Sequence, residues 1–335
     1  MVGGTTYVGK HVLLNLIESG EITSLSLSDT DQADRMRDVV TARNYSNAGG
    51  HAIEFSRLYL ESKKSWAGCV RGNDAVIVIL GPARVLDVPV GKLGTELDEF
   101  ILTNAFKAMS SQGVRQGIVI LHSDESLEDH LSPRQLRRPP GRKPNPELWR
   151  AMKQLENRNN QVTEIAGRLA EKYAPQVNIT VLKPSRVLGA PVDNAFGISL
   201  RPFEQLLLEN RRHLPDLSIH VINVRDLAEL TRKLLWRKSN EAKFEAIEAS
   251  THTVYLDQVV SSVEAPDGAP SKVGRVPTLL LRIMSIFSIP LRAVVASLGQ
   301  HAPADSKAAR LWLGSHPVAV HETFQETARF LAMNS

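Results

Sequence analysis

A single cysteine, Cys69, in 335 residues leaves no partner for an internal disulfide and no thiolate set for a cysteine-built zinc site. Such scarcity suits a reducing compartment. Aromatic residues are few, 5 % of the chain, and no tyrosine lies between Tyr59 and Tyr173. Long apolar runs are also missing. The most apolar stretch, 277–299, is interrupted by Arg282 and Arg292 and falls short of the roughly 20 apolar residues a spanning helix needs. It reads as a buried or amphipathic helix, with contact to a membrane surface as the alternative. There is no low-complexity tract and no short-period repeat. Neither sign of charge dominates: 40 Lys and Arg against 36 Asp and Glu leave a formal +4. What the chain does have is 42 % hydrophobic residues, ample for a core in one large domain or two smaller ones.

Strand-like and helix-like patterns alternate through the first two thirds, the signature of a parallel α/β sheet. Strands are expected at 24–28, ending at Asp29, and at 51–55, 75–80, 117–121 and 177–182. The run 75–80 is short and rich in β-branched residues, as in a strand buried on both faces. Helical spacing marks 96–112, through Leu97, Phe100, Ile101 and Ala105, and a long helix is expected over 147–173, stopped before Pro175. After residue 190 the pattern loosens into a mixed α/β region, read as a smaller lobe over 191–335 beside a main domain over 1–190.

The segment Gly3-Gly4-Thr5-Thr6-Tyr7-Val8-Gly9 reads as a strand-to-helix turn, with helical apolar spacing following at Val8, Val12, Leu13, Leu16 and Ile17. In such a turn the glycines admit a pyrophosphate to the backbone, and the helix N-terminus supplies N–H groups and positive potential. Thr6 stands where the middle glycine of Gly-x-x-Gly-x-x-Gly would be, so a Cβ and a hydroxyl occupy the place of close phosphate approach. Only Met1 and Val2 precede the turn, whereas a strand usually runs about five residues. The expectation is a first strand reduced to a stub, or upstream residues that carry the rest of it and any targeting peptide.

The stretch 132–146 combines Pro133, Pro139, Pro140, Pro144 and Pro146 with Arg134, Arg137, Arg138, Arg142 and Lys143. This proline density excludes a regular helix and predicts an exposed, extended loop. It is either a solvated insertion or a basic arm against an anionic partner: an acidic protein face, RNA or lipid headgroups. Without interleaved aromatics it has nothing on which bases could stack.

Further segments fall into a recognisable order. They are Gly72-Asn73-Asp74-Ala75-Val76-Ile77, then Gly113-Val114-Arg115 before 118–121, then Val181-Leu182-Lys183-Pro184-Ser185-Arg186-Val187-Leu188-Gly189. Val221-Ile222-Asn223-Val224-Arg225-Asp226-Leu227-Ala228 follows, and last come Asp305-Ser306-Lys307-Ala308, Leu313-Gly314 and Thr323-Phe324 with Glu326-Thr327. In order and spacing the chain resembles the extended short-chain dehydrogenase/reductase superfamily over nearly its whole length, in particular the 3β-hydroxysteroid dehydrogenase and NAD-dependent epimerase/dehydratase branch. The resemblance implies a Rossmann-type doubly wound parallel sheet. It also implies a dinucleotide, NAD or NADP, lined by Gly3, Gly4, Thr6, Gly9, Asp29, Gly81 and Pro184. Asp29 at a strand end, with Asp31 as a neighbour, suits the adenosine ribose and favours NAD; a helix N-cap is its plain structural alternative.

Family catalysis uses a Tyr-x-x-x-Lys pair at the start of the long helix. Counting back from Pro184 puts the equivalent positions near Asn157 and Gln161, which carry no titratable proton. The chain's Tyr-x-x-x-Lys, Tyr59 with Lys63, lies on the wrong element. Ser123 falls where the family's assisting serine or threonine stands and is the weak catalytic candidate. Gly81-Pro82 replaces the family's Ala-Ala or Ala-Gly, and Ser56 stands where an aspartate is expected. The resemblance therefore implies a degenerate, non-catalytic member with weak or absent nucleotide binding. A model for it is the dehydrogenase-like accessory subunit of respiratory complex I, in a mitochondrial assembly. An active NAD(P)-dependent oxidoreductase with a substitute catalytic group is the alternative, and a nucleotide sensor is a third reading.

Overall fold

The structure, a computed structural model, describes residues 1–4, 6–21, 24–29, 52–80, 95–121, 146–192, 200, 213–215, 218–237, 243–255, 274–276, 306–314 and 317–334. Ala75-Val76-Ile77-Val78-Ile79-Leu80 alternates its side chains between two hydrophobic clusters, Val76, Val78 and Leu80 on one face and Ile77 and Ile79 on the other. A strand with helices on both faces needs such a continuous apolar run. The same logic builds a four-stranded parallel sheet in the order β3 (Ala75–Leu80), β4 (Gln116–Leu121), β5 (Asn178–Pro184), β9 (Phe244–Ala249). Its register sets Val78 beside Val119 and Val119 beside Val181. β1 (Ser24–Asp29) and β2 (Ala52–Arg57) pair in parallel. Val2 makes a parallel bridge to Val78, donating its N–H to Ile77 (2.8 Å) and accepting from Ile79 (3.0 Å).

One face of the sheet carries α1 (Tyr7–Ser19) and α5 (Val224–Leu235), through Val8, Val12, Leu16, Leu227 and Leu230. The other carries α2 (Lys63–Val70), α3 (Glu96–Ser111) and α4 (Pro146–Tyr173), through Trp66, Phe106, Met109, Val162 and Ala166. α1 ends at Gly20, whose φ of 66° is the left-handed C-cap that glycine adopts without strain. α4 opens on Pro146, so that residue is the first of the helix rather than the last of the basic arm; a proline at this position lacks only an N–H that the first turn leaves unpaired anyway.

Beyond residue 184 the chain adds a three-stranded sheet ordered β10 (His252–Tyr255), β8 (Ser218–Asn223), β6 (Arg186–Leu188). A short parallel pair joins β7 (His213–Pro215) and β11 (Gly274–Val276). The helices α6 (Ser306–Leu313) and α7 (Val320–Asn334) complete the described elements. The expected strands and the two central helices thus stand within a few residues of their predicted bounds. Ser56 lies inside β2 rather than after it, and its hydroxyl is 3.7 Å from the Cys69 sulfur.

Candidate functional site

The turn that the sequence singles out is closed by side-chain-free backbone. A Cβ on Gly9 would come within 2.2 Å of the Gly3 carbonyl oxygen and 2.8 Å of the Gly4 carbonyl carbon. Gly3 has φ 78°, and a Cβ there would meet the Ile79 carbonyl oxygen at 2.7 Å. These two glycines let α1 start directly above the edge of the sheet, the close helix–strand approach that dinucleotide turns require. Thr6 is the N-cap of α1. Its Oγ1 donates to the Gly3 carbonyl (2.9 Å) and accepts the Gly9 N–H (3.1 Å), while its carbonyl takes the Lys10 N–H (2.9 Å). The hydroxyl is therefore committed inside the turn, and one first-turn N–H is already satisfied by it.

Gly3, Gly4, Thr6 and Gly9 are brought together here. Pro184 closes β5 at the same carboxyl edge of the sheet, opposite Ala249. Asp29 closes β1, and its side chain lies outside the described residues. Gly81, Pro82, Asp31, Ser123 and the segments 132–145 and 277–299 also lie outside them. A dinucleotide held on this turn would set its pyrophosphate against the α1 N-terminus, beside Gly3, Gly4, Thr6 and Gly9.

The long helix α4 carries Asn157 and Gln161, near which, within a few residues, the resemblance places tyrosine and lysine; Gln161 is exposed. Tyr59 is exposed in the segment before α2, with the Arg57 guanidinium 5.4 Å from its ring centre. Between Asn157 and Gln161 the structure shows what sequence reading missed. Arg158 is 2 % exposed and forms a two-pronged ion pair with Asp98 of α3, Nε to Oδ2 at 2.9 Å and Nη2 to Oδ1 at 2.5 Å. Burial pushes the Asp98 carboxyl up, and the guanidinium opposes that shift. Asn159 donates its amide to the Leu121 carbonyl at the end of β4 (3.3 Å), while its Oδ1 is buried without a partner. Asp98 reads in sequence as an ordinary first-turn acid, and its partner is 60 residues away, so no local pattern announces the pair.

Among the described residues no cluster of three or more His, Cys, Asp or Glu could hold a metal ion, and no helix is long and apolar enough to cross a membrane.

A parallel sheet covered by helices on both faces, opening on a glycine-closed turn, defines a Rossmann-type α/β protein. No family model matches the chain, and no curated protein matches it in sequence. Solved structures do match. The crystal structure of gox2253 superposes with a TM-score of 0.65 at 17 % identity, over 99 % of this chain and 97 % of its own. Vestitone reductase from alfalfa (Medicago sativa) gives 0.59 at 14 % identity, over 99 % and 97 %. MoeE5, solved with UDP-glucuronic acid and NAD, gives 0.57 at 13 % identity, over 100 % and 98 %. At these identities the likeness establishes the fold, and the fold extends over the full length of those proteins.

Proposed function

We propose that this chain is a catalytically inactive relative of the short-chain dehydrogenases that serves as an accessory subunit of a larger assembly, in mitochondria by preference. The observation that carries this reading is the chemistry of α4. A hydride-transfer enzyme of this design needs a phenol whose proton moves with the carbonyl or alcohol, and a cation that holds the ribose and lowers the phenol's pKa. Asn157 and Gln161 supply neither, and the intervening Arg158 is tied up in a buried pair. General acid–base catalysis contributes about 10²–10⁴-fold, so its loss alone removes useful turnover. A structural role asks only for the fold, which is intact.

Nucleotide binding is proposed as residual, NAD before NADP, because the turn keeps Gly3 and Gly9 while Thr6 adds bulk. MoeE5 was solved with NAD, which makes NAD the first cofactor to test. Two measurements decide the reading: assay of the purified chain with NAD(H) and NADP(H) against 3β-hydroxysterols and sugar nucleotides, and the native mass of the endogenous protein in gently solubilised mitochondria. No turnover, with migration in a complex well above 36.9 kDa, is expected. Turnover abolished by Ser123→Ala would instead identify an enzyme with a relocated catalytic group.

A further inference from the structure

One glycine peptide ties the two ends of the chain together. Gly189 follows β6 with φ 128°, and both of its polar backbone atoms are bound to side chains. Its carbonyl accepts the Tyr7 hydroxyl from the first turn of α1 (2.9 Å), and its N–H donates to Thr327 Oγ1 of α7 (3.0 Å). Tyr7 is 3 % exposed and Thr327 fully buried, so neither bond is exchanged for water. Thr327 in turn donates to the Thr323 carbonyl (2.7 Å). Asn223 gives its amide to Thr323 Oγ1 (3.0 Å) and Glu326 Oε1 (2.6 Å). Arg225 reaches Glu322 (2.9 Å) and Glu326 (2.8 Å). Beside Tyr7, His11 makes an edge-on ring contact with it and hydrogen-bonds the Ala190 carbonyl (3.1 Å). There is no slack at the junction, since a Cβ on Gly189 would lie 2.9 Å from Val224 Cγ1 and 3.1 Å from Glu326 Oε1.

We propose that α7 is a latch on the glycine turn: its docking fixes Gly189, and Gly189 fixes Tyr7 and with it the start of α1. By linkage the effect runs both ways. An anion seated on the turn would tighten α7, and a partner that draws α7 away would loosen the turn. The proposal does not depend on the chain being an inactive subunit, because it concerns only how two ends of one fold are coupled.

Hydrogen exchange on the full-length chain, followed by mass spectrometry, tests it with three variants. Tyr7→Phe should speed exchange of α7 amides between 320 and 331 by roughly 2- to 10-fold, the range that loss of one hydrogen bond allows. Thr327→Val should do the same to amides 10–17 of α1. Thr327→Ser keeps the hydroxyl and should exchange like the parent in amides 10–17 of α1, whatever the lost methyl does within α7, and peptides covering β3 and β4 should be unchanged in all three. For Tyr7→Phe and Thr327→Val, acceleration confined to the substituted segment, absent altogether, or spread evenly through β3 and β4 overturns the latch.

Discussion

Thr6 shows how one side chain can close a turn from within. As an N-cap it holds Gly3 and Gly9 in place with two hydrogen bonds; a threonine cap is typically worth about 1 kcal/mol over alanine and only a few tenths over glycine. Thr6→Gly should therefore lower stability by less than about 1 kcal/mol while clearing the approach to the helix N-terminus. NADH titration followed by fluorescence is expected to give tighter binding to the variant than to the parent; equal affinities would show that Thr6 is not the obstacle. Asp226 offers a residue-scale prediction of a different kind. Both its carboxylate oxygens accept the Val318 N–H (3.1 Å each). Burial pushes its pKa up to about 6, against the pull of that hydrogen bond and of Arg225 and with the repulsion of Glu326 and Glu322. A carboxyl raised in the folded state adds stability below its unfolded value of about 4 and loses that contribution as pH rises through about 6. His252, which donates to the Val318 carbonyl (2.9 Å), is lowered by burial and acts in the opposite sense, losing its contribution as pH falls. Asp226→Asn removes only the first slope. The melting temperature of the variant minus that of the parent should rise between pH 4.5 and 7.5, and a constant difference would show that Asp226 does not titrate in this window.

At the scale of elements, the packing of α3 against α4 rests on an apolar face with one ion pair set into it. The side chains of Asp98 and Arg158 are each 3 % exposed. Removing one partner of a buried pair strands the other charge and costs about 3–5 kcal/mol, whereas replacing both with apolar residues is often close to neutral. Arg158→Met and Asp98→Leu should each destabilise by about that amount in urea unfolding, with the double variant recovering most of the loss; single variants within about 0.5 kcal/mol of the parent would remove the pair from the account of the fold. The elements themselves were largely legible in sequence, and the reason is local. Ala75–Leu80 and Gln116–Leu121 are apolar runs bounded by polar turns, and the helix ending at Tyr173 meets a proline two residues later. What escaped sequence reading is held by pairs far apart in the chain: Asp98 with Arg158, Tyr7 and Thr327 with Gly189, and Asp226 with Val318. Each of these side chains has an ordinary local explanation, such as a helix-start acid or a surface cation, and only the closed fold shows the other partner. The glycine turn was legible as a turn, but the sequence could not tell that the Thr6 hydroxyl would face inward.

For the whole molecule the question is what a Rossmann-type protein presents to its surroundings. Its formal charge is only +4, too small to direct it to any anionic surface by net charge, but five cations are concentrated between Arg134 and Lys143. In sequence that stretch falls just before α4. Ordering such a segment costs about 1–2 kcal/mol per residue in backbone entropy, a cost that docking on a partner would have to offset. Against an acidic protein face, guanidinium–carboxylate hydrogen bonds are among the stronger polar contacts available and can offset that cost, whereas base stacking is closed to a segment without aromatics. Replacing Arg134, Arg137, Arg138 and Arg142 together with serine should leave the melting temperature within about 2 °C, because charges on a segment read from sequence as an exposed loop contribute little to stability. The same variant, expressed in cells lacking the parent, should migrate at its monomer mass where the parent migrates in its complex. Loss of the complex accompanied by a collapse in melting temperature would mean that the arginines serve the fold instead, and retention of the parental complex would show that the partner is held elsewhere.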